Sequence, residues 1–173
     1  MKIILLGYMG SGKSSVGRSL AAKLDIKFLD LDEEIVSAEN KSISAIFEDS
    51  GEIYFRKAEN AVLKRLLSSK ESFVLSLGGG TPCYANNLEM ILQDEHVKSL
   101  YLKTSLETLR ERLWEERDTR PLISHLESSE ALEDFIRKHL FERTYYYNQS
   151  EFTVTTDGKN VQEISSEVFS LLN

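Results

Sequence analysis

Cysteine is nearly absent from this sequence, and its scarcity excludes one class of protein. Cys83 is the only cysteine among 173 residues, so no disulfide can form within the chain. Such usage fits a reducing compartment better than an oxidising one. We therefore do not expect a disulfide-stabilised secreted protein, and we expect Cys83 to be structural or incidental rather than reactive.

Long apolar runs and an excess of positive charge are also missing. No stretch approaches the ~18 apolar residues of a membrane helix, and the apolar run at residues 3–6 is too short for a signal peptide. The net charge is −7, so no general basic face would attract nucleic acid. We expect a cytoplasmic protein with neither a membrane nor a nucleic-acid partner, in which any anion site must gather its own Lys and Arg residues.

What the sequence does contain is an alternation of short apolar runs with longer helical patterns. The apolar runs predict five strands, at residues 3–6, 26–30, 73–77, 99–102 and 152–155. Helices are predicted at residues 13–24, 32–47 and 52–67, from a capping box at Thr104 and Glu107, along an apolar face from Leu132 to Tyr147, and from Asn160 onward. The alternation indicates an α/β fold of three layers, a five-stranded parallel sheet between helices. The length fits a single domain.

The most specific motif is a phosphate-binding loop. Residues 7–14 read Gly-Tyr-Met-Gly-Ser-Gly-Lys-Ser, which matches G-x-x-x-x-G-K-[ST]. Glycines let the backbone wrap closely around an anion, and the N–H groups at the start of the next helix point at the phosphates. Lys13 adds positive charge near the β- and γ-phosphates, and the Ser14 hydroxyl suits Mg²⁺. The motif follows a predicted strand and opens a predicted helix, so we expect a nucleoside triphosphate site.

Two classes of function share such a loop. One is a kinase that phosphorylates a small molecule, and the other is a switch or motor that hydrolyses its nucleotide. The sequence has no guanine-reading N-K-x-D motif, and a motor would be longer. The polar segment 117–129, which contains Arg120-Pro121, separates two helices without a strand. It is either a mobile lid or a plain surface loop, and a lid on a small chain favours the kinase.

Two carboxylates follow the second predicted strand. Asp30 and Asp32 are one residue apart, so on an extended chain both side chains point the same way. Asp30 suits binding of Mg²⁺ through water, and Asp32 is placed to accept a proton from a substrate hydroxyl. The alternative is that Asp32 only caps the next helix.

An arginine and three glycines complete the candidates on the acceptor side. Arg56 lies between Glu52 and Glu59, a pattern that also fits an exposed helical ion pair, although the neighbouring Phe55 favours partial burial. Residues 78–80 are all glycine and end the third predicted strand, at the edge where parallel sheets bind ligands. They either let a substrate approach backbone N–H groups or form a flexible turn.

In their order along nearly the whole chain, these motifs resemble the shikimate kinase family. The motifs are the loop at residues 7–15, Asp30-Leu31-Asp32, Phe55-Arg56-x-x-Glu59, the stretch 74–80, Arg120-Pro121-Leu122 and the segment 143–147. The resemblance implies a fold like that of nucleoside monophosphate kinases, with an acceptor-binding region at about residues 32–60 and a mobile lid at about residues 113–126. It also implies ATP-dependent phosphorylation of the 3-hydroxyl of shikimate, in chorismate and aromatic amino-acid synthesis. Another P-loop small-molecule kinase, such as a gluconate kinase, is the alternative.

The resemblance assigns a role to each candidate residue. Shikimate would be bound by Asp32, Arg56, Gly79 and Arg143, the two arginines gripping its carboxylate. ATP would be bound by Gly10, Ser11, Gly12, Lys13, Ser14, Ser15 and the lid residue Arg120. Lys13, Asp32 and Arg120 would be catalytic, and Ser14 and Asp30 would serve Mg²⁺, with Ser76 joining through water. We expect a monomer whose partners are ATP and shikimate.

Two stretches depart from the family pattern, and the chemistry of Asp32 sets a limit. The proline usual two residues after the substrate arginine is missing from residues 143–147, and Gly158-Lys159-Asn160 replaces a proline-containing stretch by the adenine site. Arg112 is a candidate for the adenine contact, and Arg117 is an alternative lid cation. An ordinary aspartate has a pKa of about 3.9, so Asp32 is expected chiefly to orient the hydroxyl.

Overall fold

The computed structural model describes residues 1–172, and it has a five-stranded parallel sheet in the order β2-β3-β1-β4-β5. The strands are β1 (Lys2–Leu6), β2 (Lys27–Asp30), β3 (Phe73–Ser76), β4 (Val97–Lys103) and β5 (Phe152–Thr155). The helices are α1 (Lys13–Leu24), α2 (Leu31–Glu39), α3 (Ile43–Leu67), α4 (Asn87–Gln93), α5 (Leu106–Glu115), α6 (Ser129–Tyr147) and α7 (Val161–Leu172). The predicted three-layer α/β fold is confirmed. Within the described part of the chain, no helix has both the length and the apolar character needed to cross a membrane.

The central strand β1 shows why the sheet is covered on both faces. All of its residues are buried, and their side chains alternate between the two faces, as a continuous apolar run in a parallel sheet requires. Ile4 and Leu6 join the apolar cluster that contains residues of α2, α3 and α4. Ile3 and Leu5 join the opposite cluster, which contains residues of α1 and α7. Each face of the sheet is therefore closed by helices.

Several helix boundaries differ from the predicted ones. The predicted helix 32–47 is wrong because α2 ends where Asn40 adopts the left-handed conformation (φ 51°), and α3 begins after Ser42, whose hydroxyl accepts from the Ala45 N–H at 3.2 Å. The expected break near residue 51 is a kink inside α3 at Gly51 (φ 77°). Helix α5 is capped by Ser105 rather than by Thr104, because the Thr104 hydroxyl is buried in a 2.7 Å hydrogen bond with Thr156. The short α4 was not predicted.

The strand register brings the candidate residues to one edge of the sheet. Asp30 at the end of β2 pairs with Ser76 at the end of β3, and Leu5 of β1 pairs with the same Ser76. The phosphate-loop motif, the paired carboxylates and the glycine triplet each follow one of these three adjacent strands. They therefore meet beyond the carboxyl ends of the strands, where ligands bind in open parallel sheets.

Candidate active site

The phosphate loop has the backbone that its glycines predict. Gly7 adopts φ 146°, and a Cβ there would lie 2.8 Å from the backbone oxygen of Leu102, so a larger residue would force the loop from the sheet. The Lys13 ammonium is buried inside the loop and donates to the carbonyls of Gly7 and Tyr8, at 2.9 and 3.0 Å. Burial lowers its pKa to about 8, against the opposing charges of Asp30 and Asp32. A buried cation beside free backbone N–H groups suits a phosphate.

Three side-chain oxygens gather next to Lys13. The Ser14 hydroxyl donates to Asp30 Oδ2 at 3.0 Å and lies 3.4 Å from the Ser76 hydroxyl. Asp30 Oδ1 accepts the backbone N–H of Asp32 at 3.1 Å, so Asp30 is the N-cap of α2 and the alternative that Asp32 is the cap is wrong. Hydroxyl and carboxylate oxygens are the ligands that Mg²⁺ prefers. The set therefore fits a hydrated magnesium ion at the end of β2.

Two cavities meet at this edge of the sheet. The larger, of about 570 Å³, is lined by residues 9–16 of the phosphate loop and by Asp30, Asp32, Ser76, Arg112, Glu116, Arg120 and Lys159, among others. The smaller, of about 380 Å³, is lined by Arg56, Glu59, residues 78–80, Arg120 and Arg143, among others. Met9, Asp32, Gly78, Gly79 and Arg120 line both. We call the larger one the donor cavity and the smaller one the acceptor cavity. Asp32 and Arg120 lie in the wall that the two cavities share.

The candidate residues divide between these two cavities. Gly10, Ser11, Gly12, Lys13, Ser14 and Ser15 line the donor cavity, and Arg56 and Arg143 line the acceptor cavity. A Cβ on Gly79 would lie 3.4 Å from the backbone nitrogen of Met9 and 3.5 Å from the Arg143 guanidinium. A Cβ on Gly80 would lie 3.3 Å from Arg56. The triplet is therefore where the backbone and both arginines approach closely, which is more specific than a flexible turn.

The buried carboxylate of Glu59 fixes the position of Arg56. Its guanidinium donates to Glu59 at 3.1 Å and lies 3.8 Å from the ring centre of Tyr84. Glu59 is only 1% exposed and also accepts from the Thr81 hydroxyl at 2.6 Å. The alternative of an exposed ion pair is therefore wrong for Glu59, although Glu52 contacts Arg56 from the solvent side. The guanidinium of Arg56 also lines the acceptor cavity, and a guanidinium held in this way suits a carboxylate ligand.

Arg143 reaches the acceptor cavity from α6, which stays helical through Tyr147 without the family proline. The Tyr147 hydroxyl donates to the carbonyl of Gly79, and burial raises the pKa of this phenol. Farther up the helix, the Tyr8 hydroxyl and His139 Nδ1 form a 2.9 Å hydrogen bond. These contacts fix α6 to the phosphate loop and to the glycine triplet, so the position of Arg143 depends on both.

Asp32 differs from the expected ordinary aspartate. It is exposed at the mouth of the cleft, but the protein atoms around its carboxyl group, together with the negative Asp30 and Glu59, raise its pKa to about 6. Lys13 and Arg56 oppose that rise only in part. A carboxylate of higher pKa accepts a proton more readily at neutral pH. A pKa of about 6 makes Asp32 a candidate proton acceptor as well as a group that orients a hydroxyl.

The predicted lid segment packs into the core at several residues, among them Leu126, which contacts the same cluster as Ile123. Ile123 is fully buried in a cluster with Tyr8 and Leu113, whereas Leu122 is 67% exposed. Arg120 lines both cavities and pairs with Glu116. Arg117, the alternative lid cation, instead stacks on Trp114 at 4.1 Å and pairs with Asp118. Of the two arginines, Arg120 is the one placed at the junction of the cavities.

Several residues of the site were missed or left open by sequence reasoning. The donor cavity includes Glu116, Lys159 and Asn160, and Arg112 donates to the Gly10 carbonyl at 3.1 Å. Glu59 belongs to the Phe55-Arg56-x-x-Glu59 motif, but no local sequence pattern indicates that its side chain is buried. Cys83 is half-buried, and burial raises the pKa of its thiol, which favours the unreactive form.

Comparisons with known proteins point to one family. The model of the shikimate kinase family matches residues 9–173. A shikimate kinase of Flavobacterium psychrophilum is 46% identical over 171 residues, which is 99% of this chain and 98% of that protein. The crystal structure of shikimate kinase from Bacteroides thetaiotaomicron superposes with a TM-score of 0.90 at 30% identity and covers 99% of this chain and 98% of its own. That of shikimate kinase from Acinetobacter baumannii, in complex with shikimate, has a TM-score of 0.86 at 34% identity, with coverage of 99% and 92%.

Proposed function

The chain belongs to the shikimate kinase family, and we propose that it transfers the γ-phosphoryl group of ATP to the 3-hydroxyl of shikimate. The products are shikimate 3-phosphate and ADP, on the route to chorismate and the aromatic amino acids. The observation that carries the assignment is the pair of adjoining cavities, one built on a phosphate loop and the other on two arginines, with Asp32 and Arg120 in the wall between them.

On the donor side, the phosphates lie along the loop from Gly10 to Ser15. Lys13 exchanges its two carbonyl partners for β- and γ-phosphate oxygens, which are stronger acceptors because they are charged. Arg120 reaches the phosphates from the lid and neutralises charge on the moving phosphoryl group. Ser14 and Asp30 would hold Mg²⁺, with Ser76 joining through water, and the ion would supply positive charge that offsets the phosphates.

On the acceptor side, Arg56 and Arg143 bind the shikimate carboxylate and the Gly79 N–H donates to the substrate. Guanidinium groups suit this task because they are always charged and present a planar fork. Apolar side chains of α3 also line this cavity, among them Phe47 and Phe55. Holding the ring by its carboxylate places a hydroxyl at Asp32, in line with the donor cavity, and such positioning is most of what phosphoryl transfer requires.

Asp32 orients the attacking hydroxyl and takes its proton. In a loose transition state the hydroxyl becomes acidic late, after the bond to the leaving oxygen has stretched. The raised pKa of Asp32, about 6, improves its strength as a base while leaving it mostly ionised at neutral pH. Its proton is then released to solvent through the open mouth of the cleft.

The assignment is tested by ADP release measured with a panel of acceptors. We expect ADP formation to depend on shikimate. Gluconate is included because it is the acceptor of the alternative kinase, and with gluconate we expect ADP formation to remain at background. Gluconate-dependent turnover would instead establish that alternative. Turnover on no acceptor, together with tight ATP binding, would indicate a nucleotide-binding module.

Substitution of Arg143 by alanine tests the acceptor cavity. A hydrogen bond to a charged group contributes about 1.5–3 kcal/mol, so we expect the KM for shikimate to rise roughly 10- to 100-fold while the KM for ATP changes little. Arg137 lies on the same helix and pairs with Glu133 and Asp134 at the surface, so Arg137→Ala is the matched control. Equal effects on the two KM values would contradict the role of Arg143.

The pH dependence of turnover tests Asp32. Protonation of its carboxylate removes the base, so we expect kcat/KM for shikimate to fall as the pH drops through about 6. The folded pKa is raised above the unfolded value of about 3.9, so stability from this group is complete below the unfolded pKa and is lost as the pH rises through the folded pKa. Asp32→Asn is therefore expected to raise Tm at pH 8 while lowering turnover. An acid limb near pH 4, or a lower Tm for Asp32→Asn, would contradict the raised pKa.

Further proposals concern the chain as a whole. We propose that it is one catalytic domain, with the acceptor-binding region at about residues 32–60 and a lid at about residues 113–126. The lid excludes water when it closes over both cavities, which limits wasteful hydrolysis of ATP. We also propose a cytoplasmic monomer. Size-exclusion chromatography with light scattering checks the oligomeric state.

A further inference from the structure

Glu116 is a third carboxylate, besides Asp30 and Asp32, in the cavity proposed for the phosphates of ATP. It follows α5 and lines the donor cavity together with Lys13, Arg112 and Arg120. Negative charge beside a triphosphate costs binding energy, and sequence reasoning gave this residue no role.

The contact that Glu116 makes is with the proposed catalytic arginine of the lid. Its Oε2 accepts from Arg120 Nε at 2.8 Å and also from an Nη of the same guanidinium. Two N–H groups of one guanidinium thus converge on a single carboxylate oxygen, so the side chain of Arg120 is fixed in direction as well as paired in charge.

The backbone around Glu116 holds this pair in place. The Glu116 carbonyl accepts from both the backbone N–H and the hydroxyl of Thr119, at 3.1 and 2.8 Å. These bonds close the short turn Arg117–Thr119, which brings Arg120 back over Glu116 four residues earlier. The pair is therefore built into the turn at the start of the lid.

Arg120 is also close enough to Lys13 for its positive charge to lower the pKa of the lysine. Before nucleotide binds, Glu116 neutralises a cation that would otherwise repel Lys13. When the phosphates enter the donor cavity, they compete with Glu116 for the same guanidinium. The ion pair is about half exposed on the glutamate side, so it is weak enough to be exchanged.

We propose that Glu116 is a positioning residue that acts through Arg120: it holds the guanidinium at the rim of the donor cavity and competes with the ATP phosphates for it. This inference rests on ATP as the donor. The expected result of Glu116→Gln is a KM for ATP about three- to tenfold lower, because both the competing charge and the repulsion of the phosphates are gone. The KM for shikimate should change less than twofold.

The chain offers a matched control for the change in charge. Glu115 precedes Glu116, is exposed and does not line the donor cavity, so Glu115→Gln alters the net charge equally. We expect no change in the KM for ATP with Glu115→Gln. Glu116→Asp keeps the charge and should keep the KM for ATP near that of the wild type. The gain from Glu116→Gln should also shrink at high salt.

The dependence on Arg120 is tested by a double-variant cycle, with binding measured by calorimetry. ADP and an ATP analogue with a non-hydrolysable β,γ bridge are titrated into the wild type, Glu116→Gln, Arg120→Ala and the double variant. We expect Glu116→Gln to tighten the triphosphate analogue more than ADP, and to tighten it less in the Arg120→Ala background. Because these are binding measurements without shikimate, they remain valid if phosphoryl transfer to shikimate fails.

Three results would overturn the inference. The first is weaker or unchanged binding of the triphosphate analogue by Glu116→Gln. The second is an equal effect of Glu115→Gln, which would reduce the result to net charge. The third is an undiminished effect of Glu116→Gln without Arg120, which would mean that Glu116 does not act through the lid arginine.

Discussion

Replacing Arg120 by alanine is expected to lower kcat by about 10³-fold or more, the range found when an arginine that neutralises a moving phosphoryl group is removed. The guanidinium lies at the junction of the donor and acceptor cavities, so its charge is placed where phosphoryl transfer occurs. The effect should fall mainly on kcat rather than on the KM for shikimate, because Arg56 and Arg143 supply the cations for the substrate carboxylate. Steady-state kinetics with both substrates varied separates these parameters.

Arg117 provides the control for this experiment. It belongs to the same segment, but it stacks on Trp114 and pairs with Asp118 instead of lining the donor cavity. Arg117→Ala should leave kcat within a few-fold of the wild type. If Arg117→Ala were the more damaging substitution, or if Arg120→Ala weakened only shikimate binding, the two arginines would have to exchange roles.

Replacing Lys13 by alanine is expected to lower kcat/KM for ATP by at least about 10³-fold. This is somewhat more than the loss of rate seen when an enzyme loses a neutral hydrogen-bond donor to a developing charge. The Lys13 ammonium is buried within the loop that it stabilises through the carbonyls of Gly7 and Tyr8. Its loss removes positive charge from the β- and γ-phosphates in both the ground state and the transition state. Single-turnover measurements at saturating ATP distinguish the loss of binding from the loss of chemistry.

A cation on the same helix controls for helix stability and net charge. Lys23 lies in the last turn of α1 and bonds the Ser166 hydroxyl at the surface, far along the helix from the loop. Lys23→Ala should retain near-normal turnover. Near-normal kcat in Lys13→Ala, with a folded protein verified by its Tm, would be incompatible with the phosphate role of Lys13.

The features that could be predicted from the sequence are those encoded by contiguous residues. The phosphate loop is one short segment whose backbone conformation requires its own glycines, so its position and chemistry could be inferred directly. The strands coincide with short segments rich in apolar residues, most clearly in β1, and their alternation with helices favours a parallel sheet. Because parallel strands end at one edge, Asp30 and the glycine triplet could be placed near Lys13 before any contact was seen.

The features that could not be predicted depend on contacts between distant segments. The raised pKa of Asp32 comes first from its burial among protein atoms, then from Asp30 and Glu59. Glu59 lies on another helix, and in the sequence it looks like an ordinary surface charge although it is buried. The competition between Glu116 and a nucleotide requires the donor cavity itself. The end of α2 was missed because Asn40 and Ser42 end one helix and cap the next within an apparently continuous helical pattern.

The most direct test of the account is the identity of the phosphorylated product. The enzyme is incubated with ATP, Mg²⁺ and shikimate, and the product is examined by mass spectrometry and by NMR correlation of its phosphorus with the ring protons. The account predicts a single shikimate monophosphate in which the phosphorus couples to the proton on C3, formed in equal amount to ADP. Phosphate on another hydroxyl, or ADP formed together with free phosphate and unaltered shikimate, would contradict it.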